Sequence, residues 1–452
     1  MGRCLAAGRG LLGSYLLLIV SQSGADTLQE TISYTIETNP EVLISMNRYR
    51  ASVETVDVER AGYLPKLGVN GSFGWQRKHN RLQAGNSKTT DRQVDTAISV
   101  QQMLFDGFRT QNRLQGAEMD ARSRSLLMRS RADSIALKVA EVYMKVIRSE
   151  QLVELSRENL VVHDEIFDQI HQRTGSGLSR TSDLEQIRSR RARASANLVT
   201  AINNLSNARS EFFNTVNRKP KSLVMPRVDK TLLPVTLDEA MALVSNNNPS
   251  ILAAGFDIRA YESQASALKS SFLPQVDLEV GQSWSDVRSD IPSSDGRTEQ
   301  LSAIVNFSYN LYNGGADQAR RREAAWKVEE ARANRELSYR NVTRDLRLSW
   351  DAFIYLAGQV SYLKEHIQAS REVARAYQQQ FRLGKRSLLD LLDTENELFQ
   401  SQRDFIQVVH EEVYSRYRIL HNTGQLLDSM NVDLGIVLNS EMNFRASLSQ
   451  DQ

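Results

Sequence analysis

The chain has almost no cysteine: the only one among its 452 residues is Cys4. A disulfide framework and a cysteine-based metal site are therefore excluded. The six histidines form no HExxH pattern, and the phosphate-binding run GxxxxGK(S/T) and the nucleophile run GxSxG are absent. The sequence therefore predicts no enzyme, no cofactor and no metal site.

Proline is also scarce, with eight residues, and this scarcity favours long uninterrupted helices. Lys plus Arg total 56 and Asp plus Glu total 54, a balance that argues against nucleic-acid binding through a basic surface. After residue 25 no stretch approaches the eighteen or more apolar residues of a membrane-spanning helix. A mature chain that crosses a membrane would therefore cross it as β-strands.

The first 25 residues have the pattern of a secretory signal peptide. Arg3 and Arg9 give a positive start, residues 11–20 are apolar, and small residues at 23–25 precede Asp26. The apolar run is too short to span a membrane. We predict that residues 1–25 are removed on export.

The rest of the chain is an internal duplication. Residues 27–65 and 236–274 share ten identities over 39 positions at a constant offset of 209, and later matches follow an offset of 207. This indicates two repeats, 26–217 and 236–427, joined by a linker at 218–235 and followed by a C-terminal segment at 428–452.

Each repeat predicts a helix of about 37 residues and then a β-hairpin. Pro65 and Pro274 mark the change from helix to strand, because the residue before a proline avoids the helical region. The hairpins cover about 66–105 and 275–312, with polar connections at 78–92 and 287–299. Apolar and polar residues alternate along each run, as in a membrane β-strand, although a soluble hairpin gives the same pattern.

A turn at Gly107 or Gly314 then leads into a long helical pattern, 109–173 or 316–382, without proline. Each pattern ends near Gly177 or Gly384, and a helix of about 40 residues follows. The apolar spacing near 3.5 residues predicts antiparallel coiled-coil packing. Two hairpins give four strands per chain, which leaves open sheet edges, so a membrane-spanning form requires a dimer or trimer.

In its duplication, its Asn-Pro and Leu-Pro marks and its glycine turns, residues 27–427 resemble the TolC family of outer-membrane export channels. The resemblance implies a mainly α fold with a β-barrel part: long antiparallel coiled-coil helices forming a periplasmic tunnel, and four β-strands per chain in a trimeric 12-stranded outer-membrane barrel. It also implies an equatorial belt formed by the linker at 218–235 and the C-terminal segment at 428–452. The implied location is the outer membrane, reaching into the periplasm of a Gram-negative-type envelope.

The resemblance further implies a gate at the inner helical turns. Asp390 and Asp393 lie on one helix face, and threefold symmetry would gather six carboxylates at a cation-selective constriction. Asp183 is expected to pair with Arg386, and Phe381 replaces a gate tyrosine of the family. The residues alone leave an alternative open, since an Asp after a glycine turn also caps a helix.

The predicted function is a passive exit duct in contact with outer-membrane lipid, working with an inner-membrane transporter and a periplasmic membrane-fusion adaptor. Type I protein secretion with an ABC transporter is preferred, because the run at 61–65 resembles secretion members and no lipid-attachment cysteine follows the apolar segment. Small-molecule efflux with an RND-type transporter is the alternative.

Overall fold

The computed structural model describes residues 26–80, 87–228, 230–289 and 295–432. The predicted signal peptide, and residues 433–452 of the predicted equatorial belt, lie outside the described residues. The main elements of the first repeat are α1 (Leu28–Thr38), α2 (Pro40–Arg60), β1 (Lys66–Asn80), β2 (Ser87–Phe105), α3 (Arg109–Gly175) and α4 (Thr181–Val216). Those of the second are α5 (Leu237–Asn247), α6 (Pro249–Ala267), β3 (Gln275–Ser289), β4 (Gly296–Ser308), α7 (Ala316–Arg382), α8 (Leu388–Asn422) and α9 (Leu426–Ser429).

The single helix expected at the start of each repeat is wrong, because two helices stand there. Asn39 is extended, with φ −74° and ψ 125°, and it ends α1 while its side chain caps α2 through a 2.9 Å bond from the Glu41 amide. Asn248 makes the same break between α5 and α6. Pro40 and Pro249 begin the second helix of each pair, where a missing N–H costs nothing.

The two hairpins form one antiparallel sheet in the order β1-β2-β3-β4. The strands have 15, 19, 15 and 13 residues and extend into both segments expected to be polar connections, while β4 ends at Ser308 rather than at 312. The structure confirms a mainly α fold with four antiparallel strands. No helix within the described ranges is long and apolar enough to cross a membrane.

The sheet preserves the duplication residue by residue. Lys66 pairs with Gln101 in the first hairpin, and Gln275 pairs with Ser308 in the second. Adding 209 to a β1 residue and 207 to its β2 partner therefore reproduces the register of β3 and β4. The offsets of 209 and 207 found in the sequence therefore correspond to a structural repeat of the hairpin.

The helices α3 and α7 have 67 residues each, so each is a rod about 100 Å long. The apolar stripe predicted on α3 is buried: Val139 and Val146 are fully covered in a core that includes Phe212 of α4 and Tyr417 of α8. The corresponding stripe on α7 is fully buried only at Leu346. The two long helices thus have equal lengths, but within one chain more of the apolar surface of α3 than of α7 is buried.

Candidate functional site

The helix reversals from α3 to α4 and from α7 to α8 have the same backbone geometry. Gly177 and Gly384 both have φ +72°. This backbone conformation is strained for any residue that has a Cβ, and glycine adopts it without that penalty. The Leu178 amide donates to the Arg173 carbonyl at 2.8 Å, and the Lys385 amide donates to Gln380 at 2.9 Å. These bonds close each helix as a Schellman motif.

A buried apolar cluster joins the two reversals. It contains residues from α3, α4, α7 and α8: Ile166, Ile170, Ile187, Phe381, Leu388, Leu391 and Leu392. Phe381 is only 6% exposed, and the guanidinium carbon of Arg173 lies 5.2 Å from its ring centre. Phe381 therefore holds the helix ends together as a core residue, whereas the sequence placed it among the gate residues.

Asp183 occupies the third position of α4, and its carboxylate accepts bonds from the Ser179 hydroxyl at 3.1 Å and the Arg180 amide at 3.4 Å. In α8 the equivalent position is Asp390, and there the Ser387 hydroxyl accepts a hydrogen bond from the Asp390 amide at 3.2 Å. The capping alternative left open by the sequence thus describes Asp183, which accepts the amide of the cap position Arg180, whereas at the second turn Ser387 is the cap and Asp390 supplies the amide.

Arg386 is held within its own reversal. Its Nε donates to Gln380 Oε1 at 2.9 Å, its guanidinium carbon lies 4.1 Å from the Tyr377 ring centre, and Nη1 lies 3.8 Å from Asp390 Oδ2. Within a single chain, as far as the structure describes it, the expected Asp183–Arg386 pair is not formed. The reason is that each partner is occupied on its own turn.

Asp393 connects the second reversal to the first repeat. Arg190 of α4 donates from Nη2 to Asp393 Oδ1 at 3.0 Å, with side-chain exposures of 27% and 58%. Such an exposed pair contributes at most about 1 kcal/mol. Asp390 and Asp393 nevertheless lie on one face of α8, with one carboxylate near Arg386 and the other bound by Arg190.

Sequence reasoning missed Tyr377, Gln380 and Arg190. Tyr377 lies one helical turn before Phe381, so its position beside the reversal could have been read from the spacing. Arg190 lies about 200 residues from Asp393, and no local pattern joins them.

The other predicted turn residues shape the fold at the opposite ends of the long helices. Gly107 has φ +70°, and a Cβ there would lie 2.9 Å from the Leu273 Cβ, so no larger residue fits. The preceding Asp106 caps α3 by accepting the Thr110 amide at 2.7 Å. Gly314 has φ +58° in the equivalent turn. Pro65 and Pro274 directly precede β1 and β3, as expected.

Comparison with known proteins identifies the family. The model of the family described as outer membrane efflux protein matches residues 31–216 and 241–414. The outer membrane efflux protein BepC of Brucella suis is 24% identical over 410 residues, which cover 89% of this chain and 87% of that protein. The alkaline protease secretion protein AprF of Pseudomonas aeruginosa is 23% identical over 439 residues, which cover 94% of this chain and 89% of that protein.

The solved structure of the outer membrane protein VceC from Vibrio cholerae superposes with a TM-score of 0.77 at 16% identity, covering 88% of this chain and 96% of that one. This likeness shows the shared fold. The chain belongs to the outer membrane efflux protein family, and it is an outer-membrane channel protein. The resemblance to the TolC family noted from the sequence is confirmed.

Proposed function

We propose that three copies of this chain form the exit duct of a tripartite export system. The sheets would join into a 12-stranded barrel, and the long helices would form a tunnel through the periplasm. The observation that carries the proposal is one sheet with two free edges whose strands lead directly into 67-residue helices.

The free edges support closure by further copies. Within the part of the chain that the structure describes, β1 and β4 each pair on one side only, and a sheet in lipid requires partners for the backbone groups of its edges. Apolar side chains on one sheet face are largely exposed: Phe73 is 79% exposed and Leu301 75%. Such a face suits contact with lipid, while the polar face, including Asp95 and Ser285, suits a water-filled lumen.

The helices support the same assembly. α3 is packed between α2 and α6, whereas α7 packs on α6 and carries exposed apolar residues at an eleven-residue spacing. These are Trp326, Leu337 and Leu348, which are 73%, 57% and 54% exposed. Eleven residues are close to three turns, so the three side chains follow one face of α7. If the seam between copies repeats the packing within the chain, α2 of the next copy would cover this face as α6 covers part of α3.

At the far end of the tunnel, Asp390 and Asp393 would contribute six carboxylates to a constriction and favour cations. In the assembled state Asp183 and Arg386 would lie near the subunit seams, and opening would exchange the contacts of Arg386 and Asp393 for a second packing of the helices. Both turns are held by exposed polar contacts around a buried cluster, which suits movement of the helix ends as units.

The energy for transport would come from an inner-membrane transporter joined through a periplasmic adaptor. We favour an ABC transporter and type I protein secretion, which the likeness to a protein named for protease secretion supports. Small-molecule efflux with an RND-type transporter is the second candidate, supported by the likeness to a protein named for efflux.

Deletion of the gene separates the two candidates. Loss of one exported protein with unchanged drug sensitivity is expected for type I secretion. Broad drug hypersensitivity with unchanged secretion would instead identify an efflux duct. Conductance of the purified protein in a planar bilayer tests the duct itself, and an assembly that does not conduct would contradict it.

A further inference from the structure

A cleft of about 740 Å³ lies between α6 and α7, close to the end of the sheet. Three cations line it: Lys269, Arg321 and Arg322. Its apolar wall includes Phe272, which is 41% exposed, and Val328, which is buried. The cleft therefore combines concentrated positive charge with an apolar surface.

Within the described part of the chain, the three cations of the cleft form no ion pair. Its two acids, Glu262 and Glu329, are both bound by Arg332, at 3.0 Å and 2.7 Å. Among the described residues, no carboxylate lies within ion-pair distance of Lys269, Arg321 or Arg322. The neighbouring pairs, Arg320 with Asp317 and Lys327 with Glu323, involve residues outside the lining. The three cations are thus free to bind an anion from outside the chain.

The position of the cleft selects the anion. Phe272 lies three residues before β3, and Arg321 and Arg322 lie five and six residues into α7, so they are about 10 Å below its start. A layer of exposed aromatic residues marks this end of the sheet: Tyr309 and Tyr312 are 48% and 81% exposed. Aromatic side chains are enriched where a membrane protein meets the headgroup region, and cations lie just beyond them.

The repeat indicates that assembly leaves the cleft accessible. In the first repeat, α3 contacts α2 on one side and α6 on the other. For α7 the partner that corresponds to α2 is α6, on the side of the cleft, and the stripe at Trp326 and Leu337 is the surface left for the next copy. A second copy would then pack beside the cleft rather than in it.

We propose that this cleft binds the phosphate headgroup of an anionic phospholipid from the membrane leaflet on the helical side of the sheet. Lys269, Arg321 and Arg322 contact the phosphate, and Phe272 packs against the upper acyl carbons. The bound lipid fixes the height of the protein in the membrane. This inference rests on the proposed placement of the sheet in the membrane.

The test is titration of the purified assembly in detergent with phosphatidylglycerol, followed by native mass spectrometry. Each cation near an anionic lipid surface contributes about fivefold in affinity, so replacing all three by Gln is expected to weaken binding roughly a hundredfold. The matched control removes three exposed cations from the lower half of α7, by Lys364→Gln, Arg371→Gln and Arg375→Gln, and is expected to change the affinity less than twofold.

Phosphatidylcholine serves as the zwitterionic probe and is expected to bind both variants weakly and equally. The proposal is overturned if the cleft and control variants bind phosphatidylglycerol alike, or if phosphatidylcholine binds as well as phosphatidylglycerol. It is also overturned if soluble glycerol 3-phosphate competes at equal concentration, because the cleft would then be a site for free anions.

Two further measurements keep the result decisive. If the triple variant does not assemble, Arg322→Gln alone is expected to weaken binding about fivefold relative to Arg375→Gln. Planar-bilayer conductance of the same preparations separates the two hypotheses. A conducting protein without lipid selectivity refutes the cleft alone, and a lipid-selective protein without conductance refutes the duct alone.

Discussion

The duplicated register predicts where one copy of the chain meets the next. Within the chain, Ser99 of β2 pairs with Gly281 of β3 at the seam between the two repeats. Adding 207 to Ser99 gives Asn306 of β4, and subtracting 209 from Gly281 gives Ser72 of β1. If the seam between copies repeats the seam within the chain, Asn306 of one copy lies opposite Ser72 of the next.

The seam within the chain supplies the distance. A Cβ built on Gly281 lies 3.8 Å from the Ser99 Cβ, which is the mean Cβ separation of a disulfide. We expect Asn306→Cys with Ser72→Cys to form a disulfide between copies without movement of the strands. The background is Cys4→Ser, so that the two introduced thiols are the only ones present.

The assay is a non-reducing denaturing gel after mild oxidation of the membrane fraction. Bands at two and three times the chain mass are expected, and they should disappear on reduction. The control pairs Asn306→Cys with Phe73→Cys, because the adjacent strand residue points to the opposite face. Absence of linked bands from an assembly that remains intact, or equal linking in the control, would refute the register.

Four further outcomes follow from contacts near the helix ends and in the core. Arg386→Ser is expected to raise single-channel conductance in planar bilayers, because it removes the contacts of Arg386 with Tyr377 and Gln380 at the helix reversal. Asp390→Asn with Asp393→Asn should lower the cation selectivity of the same channel. Tyr143→Phe should lower the free energy of unfolding by about 1–3 kcal/mol, because the Tyr143 hydroxyl accepts a hydrogen bond from the Val224 amide of the linker at 3.0 Å. His410→Gln should reduce the loss of thermal stability between pH 6.5 and 4, followed by circular dichroism of the helices.

The sign of the pH effect follows from burial. Burial, with a smaller contribution from Arg148, lowers the pKa of His410 to about 4. Between pH 6.5 and 4 His410 binds a proton in the unfolded chain but stays neutral in the folded chain. The free energy of unfolding therefore falls by up to about 3 kcal/mol as the pH falls through this window. A Gln cannot titrate, and an unchanged pH profile would contradict this reasoning.

The remaining controls change the same residue types at exposed positions. His366→Gln alters an exposed histidine, which is paired with Glu397 at 3.2 Å, and should leave most of the acid sensitivity in place. Tyr362→Phe removes a hydroxyl from a side chain that is 75% exposed and should not change stability measurably. For the gate, Arg382→Ser removes a nearby cation and should leave the conductance near that of the parent.

Local patterns determined the elements of this fold. The two long helices were predicted within two residues at most ends, because scarce proline and a repeating apolar spacing act over short distances. The break at Asn39-Pro40 was missed although its signal was present, since Asn caps helices and Pro favours a helix start. The strands extend further into the predicted connections than expected, because polar residues at their outer ends pair as well as apolar ones do.

By itself the sequence therefore determined the duplication, the order of the elements and the residues at both helical reversals. Only the tertiary structure decided which partners these residues take. Phe381 is buried among four helices, Arg386 is held by Gln380 and Tyr377, and Asp393 is joined to Arg190. The physical reason is distance along the chain: caps and turns depend on neighbouring residues, whereas ion pairs and cores depend on how separate helices meet.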